Sequence, residues 1–318
     1  MNPTVRPKIT QAQSQIKVVM MFGTKDEIDQ ARKRGRRIWD ISSFVGEDGV
    51  LNSGLTASPP ATSAVEALAL RSLGSKLKEV PASLLCSTAL PICRLLDLSQ
   101  NSLSGLPTEL ATLSGSLVAL HLYGNSFQSL PLSVCSLTQL EELSLGSNLL
   151  SDLPPEIGGL KSLRKLSLCS NTVSKLPDEF CQLTQLVELD LSCNTFKEVP
   201  SVLNKLATLK KLDISMNYGI QEIPDAQWWS SGFQALESLS LAYTRIQEAA
   251  SLTALPSTVT ELDIRGCCSE PHATLPFFSH LVFTKHNNSN SSSSQPDVPA
   301  PMSSSCIFAV NDQILALH

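Results

Sequence analysis

The sequence predicts an α/β solenoid, with a curved parallel β-sheet on its concave face and short helices or turns on its convex face. Three observations carry that prediction. A phrase of nine residues, Leu-x-x-Leu-x-Leu-x-x-Asn, recurs five times, with Ile for the third Leu in the last copy. Its anchoring asparagines, Asn125, Asn148, Asn171, Asn194 and Asn217, stand 23 residues apart. After each anchor an apolar residue follows two places on, and an apolar-Pro pair closes the copy; the last copy has Gly219 at the apolar slot and one extra residue before Pro224. A fixed period of this length marks stacked supersecondary units that bury one shared core.

The alternation within Leu-x-Leu has period two, so each phrase is a short strand with one buried face. A single strand of this kind cannot bury its leucines, whereas stacking the copies makes a parallel sheet with a continuous leucine core behind it. The asparagine ends the strand, and its amide can bond backbone groups of the neighbouring turn, as a buried polar side chain must. Pro107, Pro131, Pro154, Pro177, Pro200 and Pro224 sit where no ladder N–H is needed or at the first turn of a short helix. Ile157 with Leu160, and Phe180 with Leu183, form the inward side of that return segment.

Taken in order, residues 1–60 form an N-terminal extension. Thr24 and Glu27 make a capping box that opens a helix over 24–37, acidic at its start and basic over Arg32 to Arg37. That cluster reads as a solvated helix end or a nuclear signal, and Gly46 to Pro60 reads as a loop. The solenoid spans 61–283. Val65 to Pro81 is a degenerate first repeat whose anchor slot falls on Ser75 and whose earlier leucine spacing is off by about two. Asn101 anchors the next, with Cys93 in its first leucine slot. After Asn217 the next anchor is Thr244, 27 residues on, past a wider return segment holding Trp228, Trp229 and Phe233, which read as packing residues. Cys267 takes the anchor slot of the last copy. Eight clear copies and a degenerate one predict a sheet of about 35–40 Å at about 4.8 Å per strand. Residues 284–318 begin as a Ser/Asn/Pro-rich linker that cannot bury apolar surface and end in an apolar segment from Cys306 to His318.

The 318 residues carry a net charge of -5 and 5% aromatics, which argues against nucleic acid as a partner. The longest apolar run near the start, Val18 to Phe22, is too short for a membrane span or a signal peptide. The nine cysteines show no disulfide framework, so reduced thiols and a cytoplasmic location are expected, with a nuclear one open through the basic cluster. Cys267 beside Cys268 has no histidine cluster near it and reads as packing.

Function is expected on the concave face, from side chains six, four and two places before each anchor. The first column alternates in sign over Glu142, Lys165, Glu188 and Lys211, a charge ladder or a polar docking track. In the second column Asp190 and Asp213 stand side by side, with Asp263 further along, and suit a basic partner surface. His121 and Tyr123 at one end of the face, and Arg265 at the other, complete the candidate protein-binding residues. An open sheet has no closed pocket to exclude water, so the paired carboxylates are not read as catalytic. No Gly-rich phosphate loop, zinc spacing or nucleophile triad is present, and no catalytic, metal or cofactor residue is expected.

The phrase LxxLxLxxN followed by an apolar-Pro pair, as in LEELSLGSNLLSDLP and LRKLSLCSNTVSKLP, resembles the intracellular Ras-group leucine-rich repeat proteins. The likeness is close from Leu95 to Pro200 and looser to Cys268. It implies a non-enzymatic signalling scaffold, a monomer binding a small GTPase, kinase or phosphatase. The alternatives are an adaptor whose tails carry the contact, or a recognition module of an immune or ubiquitin-ligase assembly.

Overall fold

The computed structural model describes residues 38–40, 67–69, 77–85, 90, 92–246 and 255–267. The expected helix over 24–37 with its basic cluster, the loop at 46–60, the linker and the apolar end of the chain lie outside them, as does Cys268.

Three-residue strands recur along the chain: β1 (Ile38–Asp40), β2 (Ala67–Ala69), β3 (Leu95–Asp97), β4 (Ala119–His121) and β5 (Glu142–Ser144). They continue as β6 (Lys165–Ser167), β7 (Glu188–Asp190), β8 (Lys211–Asp213), β9 (Ser238–Ser240) and β10 (Glu261–Asp263). All ten lie in one open, curved sheet in sequence order, every neighbouring pair parallel. Nine spacings of about 4.8 Å make it about 43 Å long. It is longer than the repeat count predicts because β1 joins its edge from the N-terminal extension, where no anchor phrase announces it.

The register follows the phrase. The central residues Leu96, Leu120, Leu143, Leu166, Leu189 and Leu212 stand opposite one another and are buried. At about 1.5–3 kcal/mol per buried leucine, stacking supplies the driving force that a lone strand lacks. The degenerate first repeat keeps its expected anchor slot. Leu77 N–H donates to Asn101 Oδ1 as Leu103 N–H donates to Asn125 Oδ1, two places past each slot. Ala67 lies opposite Leu95, and Ser75 itself is outside the described residues.

The asparagines form a ladder. Asn171 Nδ2 donates to Leu168 O and Cys169 O of its own turn and to Leu145 O of the preceding repeat, at 2.9, 3.2 and 3.0 Å. Its Oδ1 accepts from Leu150 N–H, also in the preceding repeat. Asn148, Asn194 and Asn217 repeat the same four bonds. At the C-terminal end, among the described residues, Thr244 Oγ1 bonds only Leu241 O and the Cys267 thiol, while Cys267 Sγ also donates back to Leu241 O.

The residue before each anchor has positive φ, from 53° at Ser147 and Cys193 to 69° at Gly124. Gly124 and Gly266 take this left-handed conformation without strain. The other repeats hold Gln100, Ser147, Ser170, Cys193, Met216 and Tyr243 there, kept in place by lateral bonds such as Ser147 N–H to Cys169 O.

Proline opens the convex returns. Pro107, Pro154, Pro177 and Pro200 each stand at the N-cap of a single 3-10 turn, and Pro131 at that of a four-residue helix, α1 (Leu132–Cys135). Their fixed φ suits the entry, and no orphan N–H is added. Ile157, Leu160, Phe180 and Leu183 point into the core as the spacing implies. The wide return after Pro224 folds as α2 (Ala226–Gly232), capped by Asp225, whose carboxylate accepts from Trp228 N–H. Trp229 is fully buried, edge-on to Trp228 at 4.9 Å and 5.1 Å from Phe233, so this cluster packs the convex side. A Cβ at Gly232 would run into the Asn204 carbonyl.

Asn171→Ala removes a bridge of four bonds and leaves the Leu150 N–H unpaired. It is expected to lower stability by about 2–4 kcal/mol in urea denaturation. Gly232→Ala is expected to cost about 1–3 kcal/mol in the same assay, while Gly105→Ala, with nothing within 4 Å of the added carbon, stays near neutral.

Candidate functional site

The three columns line up across the sheet because the strands pair without slip from β3 to β10. Over β5 to β9 they form an open trough of about 530 Å³. Tyr123, Glu142, Lys165, Glu188, Asp190, Lys211 and Asp213 all line it, together with Ser144, Ser167, Cys169, Ser238 and Ser240. Four carboxylates face two cations, and the floor between them is hydroxyl-rich.

Two expected residues lie elsewhere in the electrostatics. Asp263 and Arg265 pair with each other at the far end, Arg265 Nη2 to Asp263 Oδ2 at 2.5 Å and Nε to Oδ1 at 2.9 Å. This bond holds the Arg265 pKa above its ordinary value. His121 departs from the expected open patch. It is 1% exposed, and Asp97 and Ser99 on the neighbouring repeat are buried too. The face is therefore closed over β3 and β4 and opens from β5, with Tyr123 at the margin. The period-two rule assigns a side chain to a face but says nothing of what lies over that face.

The charge ladder closes in part. Glu188 lies 3.5 Å from Lys165 and 3.9 Å from Lys211. These side chains are well exposed, so each pair contributes about 0.2–1 kcal/mol at most. Glu142 instead stands 3.3 Å from His121 Nε2, too poorly aligned for a hydrogen bond. Its rung is drawn towards the buried imidazole.

Asp190 and Asp213 face each other across β7 and β8. Asp190 Oδ1 accepts from Ser192 N–H and Oγ–H, and Ser167 Oγ–H donates to Oδ2. Asp213 Oδ1 accepts from Ser215 N–H at 2.9 Å. Burial raises the Asp213 pKa above the usual carboxylate value; the bonds from Ser215 oppose the rise and the Asp190 charge adds to it. Among the described residues no cation is ion-paired with either aspartate.

The described cysteines, Cys93, Cys135, Cys169, Cys181, Cys193 and Cys267, are all free thiols. Burial pushes Cys93 up to about 12 and Cys135 up to about 11, so both are inert packing groups. Burial also raises Cys169, on the trough wall. Among the described residues no helix is long and apolar enough to cross a membrane.

The column rule missed one feature. Met216, Tyr218 and Tyr243 stand exposed on the turns at the strand ends, one place before or after an anchor. Their signal lay in slots that most other repeats fill with Ser, Thr or Gly, although Gln100, Leu149, Cys193 and Arg245 also occupy them.

A parallel ladder with an extended polar face defines a repeat-type binding module. Residues 65–261, well over half of the chain, match the leucine-rich repeat region family, and the chain belongs to that family. No curated protein sequence matches it. Among solved structures it is similar to an internalin (inlF) of Listeria monocytogenes, at 21% identity and TM-score 0.50, covering 63% of this chain and 55% of that one. A leucine-rich repeat protein of Leptospira interrogans gives 24% identity and TM-score 0.42, over 64% and 61% of the two chains. The plant peptide hormone receptor RGFR1, solved with RGF2, gives 28% and 0.49, over 63% and 32%. The chain thus spans about half the length of the internalin, and the likeness is one of fold.

Because its native pKa is raised, Asp213 binds more protons folded than unfolded between about pH 3.9 and that raised value. Its contribution to stability therefore falls as pH rises through this window. Asp213→Asn, which keeps an acceptor for Ser215, is expected to melt higher than the wild type at pH 7, with the gap closing towards about pH 4; thermal melts across that range check it.

Proposed function

We propose that the chain is a non-enzymatic scaffold of intracellular signalling that holds a partner protein on its concave face. The observation that supports this best is the open trough over β5 to β9, lined by Tyr123, Glu142, Lys165, Glu188, Asp190, Lys211 and Asp213. It is open, with charged and hydroxyl side chains standing over the leucines of the sheet. Such a face suits a folded partner better than a small substrate, which needs a concave pocket that buries most of its surface. The excess of carboxylates favours a basic partner surface and faster encounter at low salt. By resemblance to the Ras-group proteins the partner is a small GTPase, kinase or phosphatase, met by a monomer in the cytoplasm. His121, being buried on β4, lies beside the trough rather than in it. Asp263 and Arg265 extend it as a self-neutralised end.

Affinity capture of the full chain, with partners identified by mass spectrometry, tests this reading. Glu188→Lys with Asp213→Lys is expected to reduce capture by roughly tenfold or more, with folding checked by circular dichroism, while removal of residues 285–318 leaves it intact. The opposite pattern would mean that the tails carry the contact and the sheet is a spacer.

A further inference from the structure

Tyr243 rests on Gly266: a Cβ there would come within 2.7 Å of its ring. The residue is 43% exposed, so Tyr243 lies against backbone and still meets solvent. Met216 is on the preceding rung, since Met216 N–H donates to Ala242 O just as Tyr243 N–H donates to Arg265 O. Met216 is 38% exposed and Tyr218, two places on, 59%. Successive rungs stand about 4.8 Å apart, so these three exposed side chains lie on adjacent turns and form an apolar rim at the C-terminal ends of β8 and β9, with Met216 Sδ against the Cys193 thiol at 3.1 Å. Met216 and Tyr243 occupy the left-handed slot, with φ of 56° and 55°, where glycine serves better at Gly124 and Gly266. Backbone preference did not select them. Large exposed apolar and aromatic side chains, grouped together, are what interface cores are made of.

Beside this rim lie Asp190 and Asp213, neither of which is ion-paired among the described residues, whereas Glu188 and Asp263 have their own cations. Asp213 and Met216 are three residues apart along one chain, at most about 10 Å. That distance is two or three residues of an extended segment.

We infer that the rim of Met216, Tyr218 and Tyr243, together with Asp190 and Asp213, docks an extended peptide segment of a partner carrying a lysine or arginine and, two or three positions away, an aliphatic or aromatic residue. The inference rests on the concave-face scaffold reading and names the chemistry of its partner. The cation lies between the two aspartates and relieves their mutual repulsion. The apolar residue covers the tyrosines. The remainder of the segment follows the serine-rich floor, where hydroxyl groups can bond its backbone.

The test is to pan the immobilised full chain with a phage-displayed library of random peptides about twelve residues long, then to measure synthetic copies of the enriched peptides by fluorescence anisotropy. Enrichment of a basic residue spaced two or three positions from an apolar one is expected. Binding should fall roughly tenfold in Tyr218→Ala with Tyr243→Ala, and similarly in Asp190→Asn with Asp213→Asn. It should also weaken as salt rises. Glu142→Lys, at the other end of the trough, should change it less than about threefold. Peptides that are acidic or purely apolar, or that lose binding only with Glu142→Lys, overturn this inference and leave the concave-face scaffold standing. Peptides indifferent to every one of these variants, or no enrichment at all, also overturn this inference, while the scaffold reading stands or falls on the affinity capture with Glu188→Lys and Asp213→Lys.

Discussion

The asparagine ladder is the constraint on which the other features of the structure depend. Each anchor amide sits in the core side of a turn where water cannot serve it, so it must spend both its donor and its acceptor on backbone. By giving half of those bonds to the preceding repeat, as Asn171 does with Leu145 O and Leu150 N–H, it fixes the distance and rotation between neighbours. Strands of only three residues could slide without such a clamp. With it, the leucines meet leucine to leucine, and the outward side chains fall into straight columns. A binding face made of columns is thus a by-product of satisfying one buried amide per repeat.

The face is not uniform, and its two ends differ in kind. Over β3 and β4 the columns hold Leu95, Ala119 and the buried Asp97 and His121. From β5 onwards they hold half-exposed charges and hydroxyls. At the far end Asp263 is occupied by Arg265. The usable surface is therefore the middle and the C-terminal shoulder, where burial, two adjacent carboxylates and exposed aromatics coincide.

The period in the sequence was enough to place β3 to β10, their register and the columns, because one buried residue type repeats at one spacing. It also gave the phase of the first repeat past its anchor, where Leu77 N–H meets Asn101 Oδ1. What escaped was what no repeat encodes. The Ile38–Asp40 strand has neither anchor nor leucine phrase and is recognisable only by its partner strand. His121 was legible as a face residue, but its burial depends on what is stacked over it. Glu142 stands 3.3 Å from that imidazole, an approach that the alternation of charges along its column does not announce. Met216, Tyr218 and Tyr243 lie off the strands, where period two has no say. The α2 helix filled an irregular length that the period could only mark as surplus.

Thr244 and Cys267 stand where the other repeats have asparagine, and neither reaches back to an N–H of the repeat before it among the described residues. The stack therefore has a tight end and a loose one. In a chain of nearest-neighbour couplings, fraying begins at the weakest junction and travels inward. On this ladder, substitutions that restore asparagine at the last two anchors would tighten the shoulder beside Tyr243 before any other part of the sheet.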